Sequence, residues 1–148
     1  MNEFIVRGNQ GFIRFELIEV FGFPKDTSHN GGYDAKAIVE IKSGKYYVQG
    51  ELWFTTGEVF EFYDQLKRCN SELKGEATFW SSEANLKIDI KFNNLGQIII
   101  QGYFKEQSGK DNELQFEMDS DQSFIPSTLE ELKEFVSYYG DMKGVQNN

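Results

Sequence analysis

The chain has one cysteine and one histidine among its 148 residues. A lone cysteine excludes an internal disulfide and suits a reducing compartment. One histidine with one cysteine excludes zinc sites of the usual kind. Proline is equally scarce, at two residues, which argues against a polyproline arm or a stiff linker. No apolar run approaches the ~18 residues of a membrane-spanning helix. The start, Met1-Asn2-Glu3-Phe4, lacks the basic residues and apolar stretch of a signal peptide. Positive charge is in short supply as well: 15 Lys and Arg stand against 24 Asp and Glu, for a net charge of -9. Such a surface repels nucleic acid and anionic membranes, and it attracts a basic protein. The expectation is a soluble, cytoplasmic chain with no nucleic-acid or membrane partner and no cofactor.

Aromatic residues are abundant, and 14 of them are Phe. A chain of this length buries roughly 68–70% of its unfolded surface, enough for one domain without a metal or disulfide. Alternating patterns predict short strands at Phe4–Val6, Phe12–Val20, Tyr33–Lys42 and Lys45–Phe54, the last two joined by a Ser43-Gly44 turn. The period then shifts to 3.6. Val59, Phe62, Tyr63, Leu66, Cys69 and Leu73 fall on one helical face, with Thr55 or Thr56 as N-cap and Gly75 as the left-handed stop. The second half repeats the order. Strands are predicted at Glu76–Trp80, Leu86–Phe92, Gln97–Phe104 and Glu113–Asp119. A helix follows from Thr128 to Tyr139, capped by Ser127 or Thr128 with Glu130 or Glu131 three residues on. Its apolar face reads Leu129, Leu132, Val136 and Tyr139. Short loops exclude parallel crossovers. The predicted fold is therefore α+β, antiparallel sheets with two helices in the order ββββα-ββββα. It forms a single domain over 1–140, followed by a polar tail over 141–148.

Few residues suggest chemistry. His29 sits in a polar loop beside Ser28, and loop neighbours seldom aim at each other, so it reads as solvated. Cys69 lies near a helix C-terminus on the apolar face and reads as a core thiol. Asp119, Asp121, Ser123 and Glu130 occupy the first, third, fifth and twelfth places of a calcium loop. Phe124 stands where that loop needs glycine, and a strand precedes it where a helix is required, so a polar strand-to-helix connection is the better reading. Clustered carboxylates alone do not specify a hydrolase, and no glycine-rich phosphate loop is present. Trp53, Trp80, Tyr46 and Tyr47 are candidates for stacking on a sugar, although strand aromatics are more often core or cross-strand pairs.

Two stretches carry a family resemblance. The first runs through Gly75-Glu76-Ala77, Ser82-Glu83, Leu86-Lys87-Ile88 and Gly96-Gln97-Ile98. The second runs through Glu113-Leu114-Gln115-Phe116, Asp121-Gln122-Ser123-Phe124 and Leu129 to Phe135. Gly50-Glu51-Leu52 and the helix to Leu66 fit as well. Over roughly residues 33–137 the chain resembles the WapI-like immunity proteins of bacterial polymorphic-toxin systems. The resemblance implies an antitoxin that binds the toxic C-terminal domain of a secreted toxin, a nuclease in the namesake case, and it transfers no catalytic residue. The N-terminal strands and the His29 loop stand outside it. Charge points the same way. Residues 111–134 hold eight acids (Asp111, Glu113, Glu117, Asp119, Asp121, Glu130, Glu131 and Glu134) and one base, Lys133. These acids are the candidate contacts for a basic toxin domain, against the alternative of an ordinary solvated face. A sugar-binding module is the second functional reading and an acid-dependent hydrolase the third. Edge strands leave a homodimer open.

Overall fold

A computed structural model describes residues 2–107 and 109–143. Strands β1 (Glu3–Gly8), β2 (Gly11–Val20), β3 (Asp34–Ser43) and β4 (Tyr46–Thr55) precede helix α1 (Thr56–Glu72). Strands β5 (Gly75–Trp80), β6 (Leu86–Phe92), β7 (Ile98–Lys105) and β8 (Glu113–Ser120) precede a 3-10 turn (Gln122–Phe124) and helix α2 (Ile125–Tyr139). Each group of four strands is an antiparallel meander, so the order is ββββα-ββββα in an α+β fold.

The strands form because their apolar residues alternate, and the alternation turns one face of each sheet inward. In β6, Leu86, Ile88, Ile90 and Phe92 are buried while Lys87, Asp89 and Lys91 face out. The two inner faces and both helices share one core. Phe79 of β5 is its hub, with ring centroids 5.2 Å from Phe15, 6.4 Å from Phe54 and 6.0 Å from Phe62. It thereby ties β2, β4 and α1 to the second sheet. Gly50 of β4 is required by the opposite sheet, because a Cβ there would lie 2.9 Å from the Phe104 ring. Strand β8 runs across the hairpin end of the first sheet. Asn9 N–H donates to the Asp119 carbonyl at 2.8 Å, the Ser43 hydroxyl to the Glu117 carbonyl at 3.3 Å, and the Ser120 hydroxyl to the Arg7 carbonyl at 2.6 Å. One strand touching both hairpins in this way means that the sheets cross rather than align.

Helix α1 begins on the expected threonine. Thr55 accepts from Glu58 N–H at 3.1 Å, and Glu58 accepts from Thr55 N–H at 2.7 Å, a reciprocal capping box. Burial pushes the Glu58 carboxyl up to about 7, against the opposing pull of the Thr55 donors. The left-handed stop falls on Leu73 (φ 56°), not on Gly75, and this turns the Leu73 side chain out of the predicted apolar face into solvent. The β3–β4 turn is Gly44-Lys45, one residue later than expected, with Gly44 at φ +61°. The start of α2 differs more. It begins at Ile125 with Pro126 in its first turn and Phe124 as N-cap, and no side chain caps it. Pro needs no partner for a backbone N–H there, so the helix starts three residues before the predicted Thr128. Ser127 and Thr128 are not its caps. Its buried face is Ile125, Thr128, Leu132 and Phe135, with Leu129, Val136 and Tyr139 partly buried around it. Of the predicted tail, residues 141–143 turn back so that the Lys143 carbonyl accepts from Gly32 N–H. Residues 144–148 lie outside the described residues.

Candidate functional site

Two open sheets have four edge strands, and an edge strand presents unpaired backbone groups unless something covers them. Here each helix covers one. Gln65 of α1 accepts from Thr78 N–H on β5 at 2.8 Å. On α2, Glu131 accepts from Ile5 N–H at 3.0 Å, and the Thr128 hydroxyl donates to the Ile5 carbonyl at 2.6 Å. Glu131 also pairs with Arg7 at 2.7 Å. The Thr128/Glu131 pair that reads as a capping box in the sequence therefore clasps the β1 edge instead of its own helix end. Strand β4 remains an open edge, whereas on β8 the outward carbonyls of Glu117 and Asp119 are taken by the Ser43 hydroxyl and the Asn9 N–H of the first sheet.

This geometry divides the eight candidate acids. Glu113, Glu117 and Asp119 project from the outer face of β8 and are exposed. Lys105 approaches Glu113 at 3.8 Å, and Gln101 bonds Glu117. No ion pair reaches Glu117 or Asp119 among the described residues. Asp111 lies exposed in the loop before β8. Asp121 sits just past β8, where its carboxylate accepts from Ser123 N–H at 2.9 Å and opens the 3-10 turn. That bond is local strand-to-helix geometry and accounts for the Asp119/Asp121/Ser123 spacing without an ion. Glu130 and Glu134 lie on the exposed side of α2. Glu131 is turned inward by the clasp and does not join them.

Alongside β8 lies a cleft of about 490 Å³, walled on the far side by Asn9, Gln10 and Gly44 to Tyr46. Past Tyr46 it continues into a second of about 340 Å³, bounded by Val48, Phe104, Glu106 and Leu114. Sequence reasoning missed this cleft, because it arises where the hairpins of one sheet meet the edge of the other. The only signal available was the exposed aromatic pair Tyr46-Tyr47 directly after a tight turn.

The residues weighed for chemistry are dispersed. His29 is exposed, and the Ser28 hydroxyl accepts from Asn30 N–H at 3.1 Å. Cys69 is buried, which pushes its thiol up. Trp53 and Trp80 are 41% and 53% exposed, as a stacking platform requires. They stand on different sheets, however, and each indole carries a lysine ammonium, Lys36 at 5.7 Å and Lys87 at 5.1 Å. No helix among the described residues is long and apolar enough to cross a membrane.

The model of the immunity protein WapI-like family matches residues 4–140. The chain belongs to the immunity protein WapI-like family. The match reaches back to residue 4, so the N-terminal strands and the His29 loop are part of the family's pattern and not an addition to it. No curated protein matches the chain. Family membership assigns the chain to the immunity proteins, and with them a partner that is a cognate toxin.

Proposed function

We propose that this protein neutralises the toxic C-terminal domain of a cognate secreted toxin by binding it in the cytoplasm of the cell that makes both. The observation that carries this reading is the family match over residues 4–140. The target is a nuclease. Such an enzyme needs a basic cleft to hold its nucleic acid, and a chain of net charge -9 is drawn to that cleft. Inhibition by occupation requires no turnover, and it fits a scaffold whose single histidine is a solvated loop residue and whose single cysteine is buried.

The β8 face supports a contact role for Glu113, Glu117 and Asp119, which project together with little compensating charge. Asp111, Glu130 and Glu134 extend the negative surface from neighbouring elements. Asp121 and Glu131 hold the fold locally and contribute field rather than contact. The test is titration calorimetry with the C-terminal domain of the toxin encoded beside this gene, rendered inactive. A one-to-one complex is expected. Reversing Glu113, Glu117 and Asp119 together to Lys is expected to weaken it at least tenfold at low salt and less at high salt. Absence of a complex refutes the antitoxin reading. Unchanged affinity in the triple reversal removes the β8 face from the interface.

A further inference from the structure

We infer that the open edge of β4 pairs with an extended segment of the toxin, rich in apolar residues and carrying Lys or Arg, which adds a fifth strand to the first sheet. This rests on the antitoxin reading above and specifies how the complex is made.

The backbone pattern comes first. Thr56 N–H donates to the Tyr33 carbonyl at 2.8 Å, and Tyr33 N–H donates to the Thr56 hydroxyl at 2.8 Å. Stepping back by twos, Phe54, Leu52, Gly50 and Val48 of β4 face Ala35, Ala37, Val39 and Ile41 of β3 as bonded pairs. The N–H and C=O groups of Tyr47, Gln49, Glu51 and Trp53 therefore point away from the sheet. The next outward N–H, that of Thr55, is taken by the Glu58 carboxylate at 2.7 Å. Among the described residues, no hydrogen bond reaches the other four N–H groups or their carbonyls. They recur at the two-residue spacing that an added strand satisfies.

This edge is also unprotected in its sequence. Exposed edges are ordinarily blunted by Pro, Lys, a bulge or a covering element. Helices cover β1 and β5, and the hairpin ends of the first sheet cross β8. Strand β4 is ten residues long, pairs with β3 without a register shift, and contains no Pro or Lys. Its outer row is Tyr47, Gln49, Glu51 and Trp53, all exposed.

Shape and charge select the occupant. On the outer face, Tyr47 and Trp53 favour aromatic or β-branched neighbours, and Glu51 favours Lys or Arg. On the inner face, the cleft of about 340 Å³ beside Tyr46 to Val48 is lined by Phe104 and Leu114, with Glu106 and Glu113 at hand. Gly50 leaves the Phe104 ring uncovered by any side chain of its own. An apolar residue of the added strand fits there, with a basic residue beside it. A second copy fits less well. Pairing β4 with itself so that all four outward residues bond puts the two-fold axis at Gly50. Leu52 and Phe54 of the second copy would then stand beside Val48 and Tyr46. Both are buried in their own core and cannot turn out to fill the cleft, and each chain carries a net charge of -9.

Two measurements on the full chain with the inactive toxin domain test this. Amide hydrogen exchange is expected to show Tyr47, Gln49, Glu51 and Trp53 fast in the free protein and slowed at least tenfold in the complex. Val48, Gly50 and Leu52 are expected to be protected in both states. Gln49→Pro removes an outward N–H without breaking the ladder to β3, and it is expected to weaken binding at least tenfold. Gln49→Ala keeps that N–H and is expected to bind within threefold of wild type. Equal losses in the two variants would assign the effect to the side chain and overturn strand addition. Binding with no slowing at the four amides also overturns it and leaves the antitoxin reading standing, and this readout does not depend on the proline variant folding. Slow amides in the free protein overturn it as well, and a dimer in light scattering would then make a second copy the occupant. Failure of the toxin domain to bind at all overturns both readings.

Discussion

Replacing Glu131 with alanine separates the acids that hold the fold from those available to a partner. The Glu131 carboxylate accepts from Ile5 N–H at 3.0 Å and from the two Arg7 nitrogens at 3.1 and 2.7 Å. Arg7 and Glu131 side chains are about a quarter exposed, 26% and 27%. A charged acceptor on a backbone donor contributes about 1.5 kcal/mol at the low end of its range, which suits a partly hydrated site. The forked ion pair adds about 0.5–1 kcal/mol after screening. The expected loss is therefore about 2 kcal/mol, or a fall in Tm of about 4–8 °C for a domain of this size. Glu131→Gln keeps an oxygen for Ile5 and is expected to lose about half as much. Urea unfolding of wild type and both variants at neutral pH, with the slope against denaturant unchanged, is the assay. A loss below about 0.5 kcal/mol in the alanine variant, with the Ile5 amide still protected from exchange, refutes the clasp.

Stability should also vary with pH through Glu58. Its carboxyl is raised from 4.5 to about 7 by burial, so folding takes up a proton between those values. The stabilisation is complete below the unfolded value and is lost as pH rises through 7. The full shift corresponds to about 3 kcal/mol, and solvent at this partly exposed site reduces it to about 1–2 kcal/mol. Glu58→Gln keeps the acceptor for Thr55 and should gain that amount on wild type between pH 4.5 and 8 in parallel denaturant titrations. Parallel pH profiles for the two proteins would remove the assignment. At the end of α1, Leu73→Gly should stabilise by about 0.5–1 kcal/mol, because a left-handed leucine is strained and its exposed side chain packs on little. A destabilised glycine variant in thermal melts would show that Leu73 makes contacts in solution that offset the strain.

The meanders were legible because period-two alternation is a local property. Leu86, Ile88, Ile90 and Phe92 show it within a single strand, and both helices show the change of period. Thr55 with Glu58 was readable for the same reason, since donor and acceptor lie three residues apart. Thr128 with Glu131 has the same spacing and a different fate. Pro126 had already supplied a start for α2, which freed both side chains to reach β1, more than a hundred residues away in sequence. No local pattern distinguishes those two outcomes. The acidic run was equally visible as composition. Its division among the β8 face, the Asp121 turn, the clasp and the outer side of α2 depends on which way each backbone segment turns. The cleft along β8 was invisible because it belongs to two sheets at once.

The two helices exchange their duties. The helix that ends the first meander shields the leading strand of the second, and the helix that ends the second returns to shield the leading strand of the first. Neither half is thus a self-sufficient piece. A ribosome that has released only the first four strands exposes a bare β1 border, and that border stays bare until residues near the far end of the chain emerge. Cutting the gene between the halves should yield two sticky fragments that recover solubility only when made together.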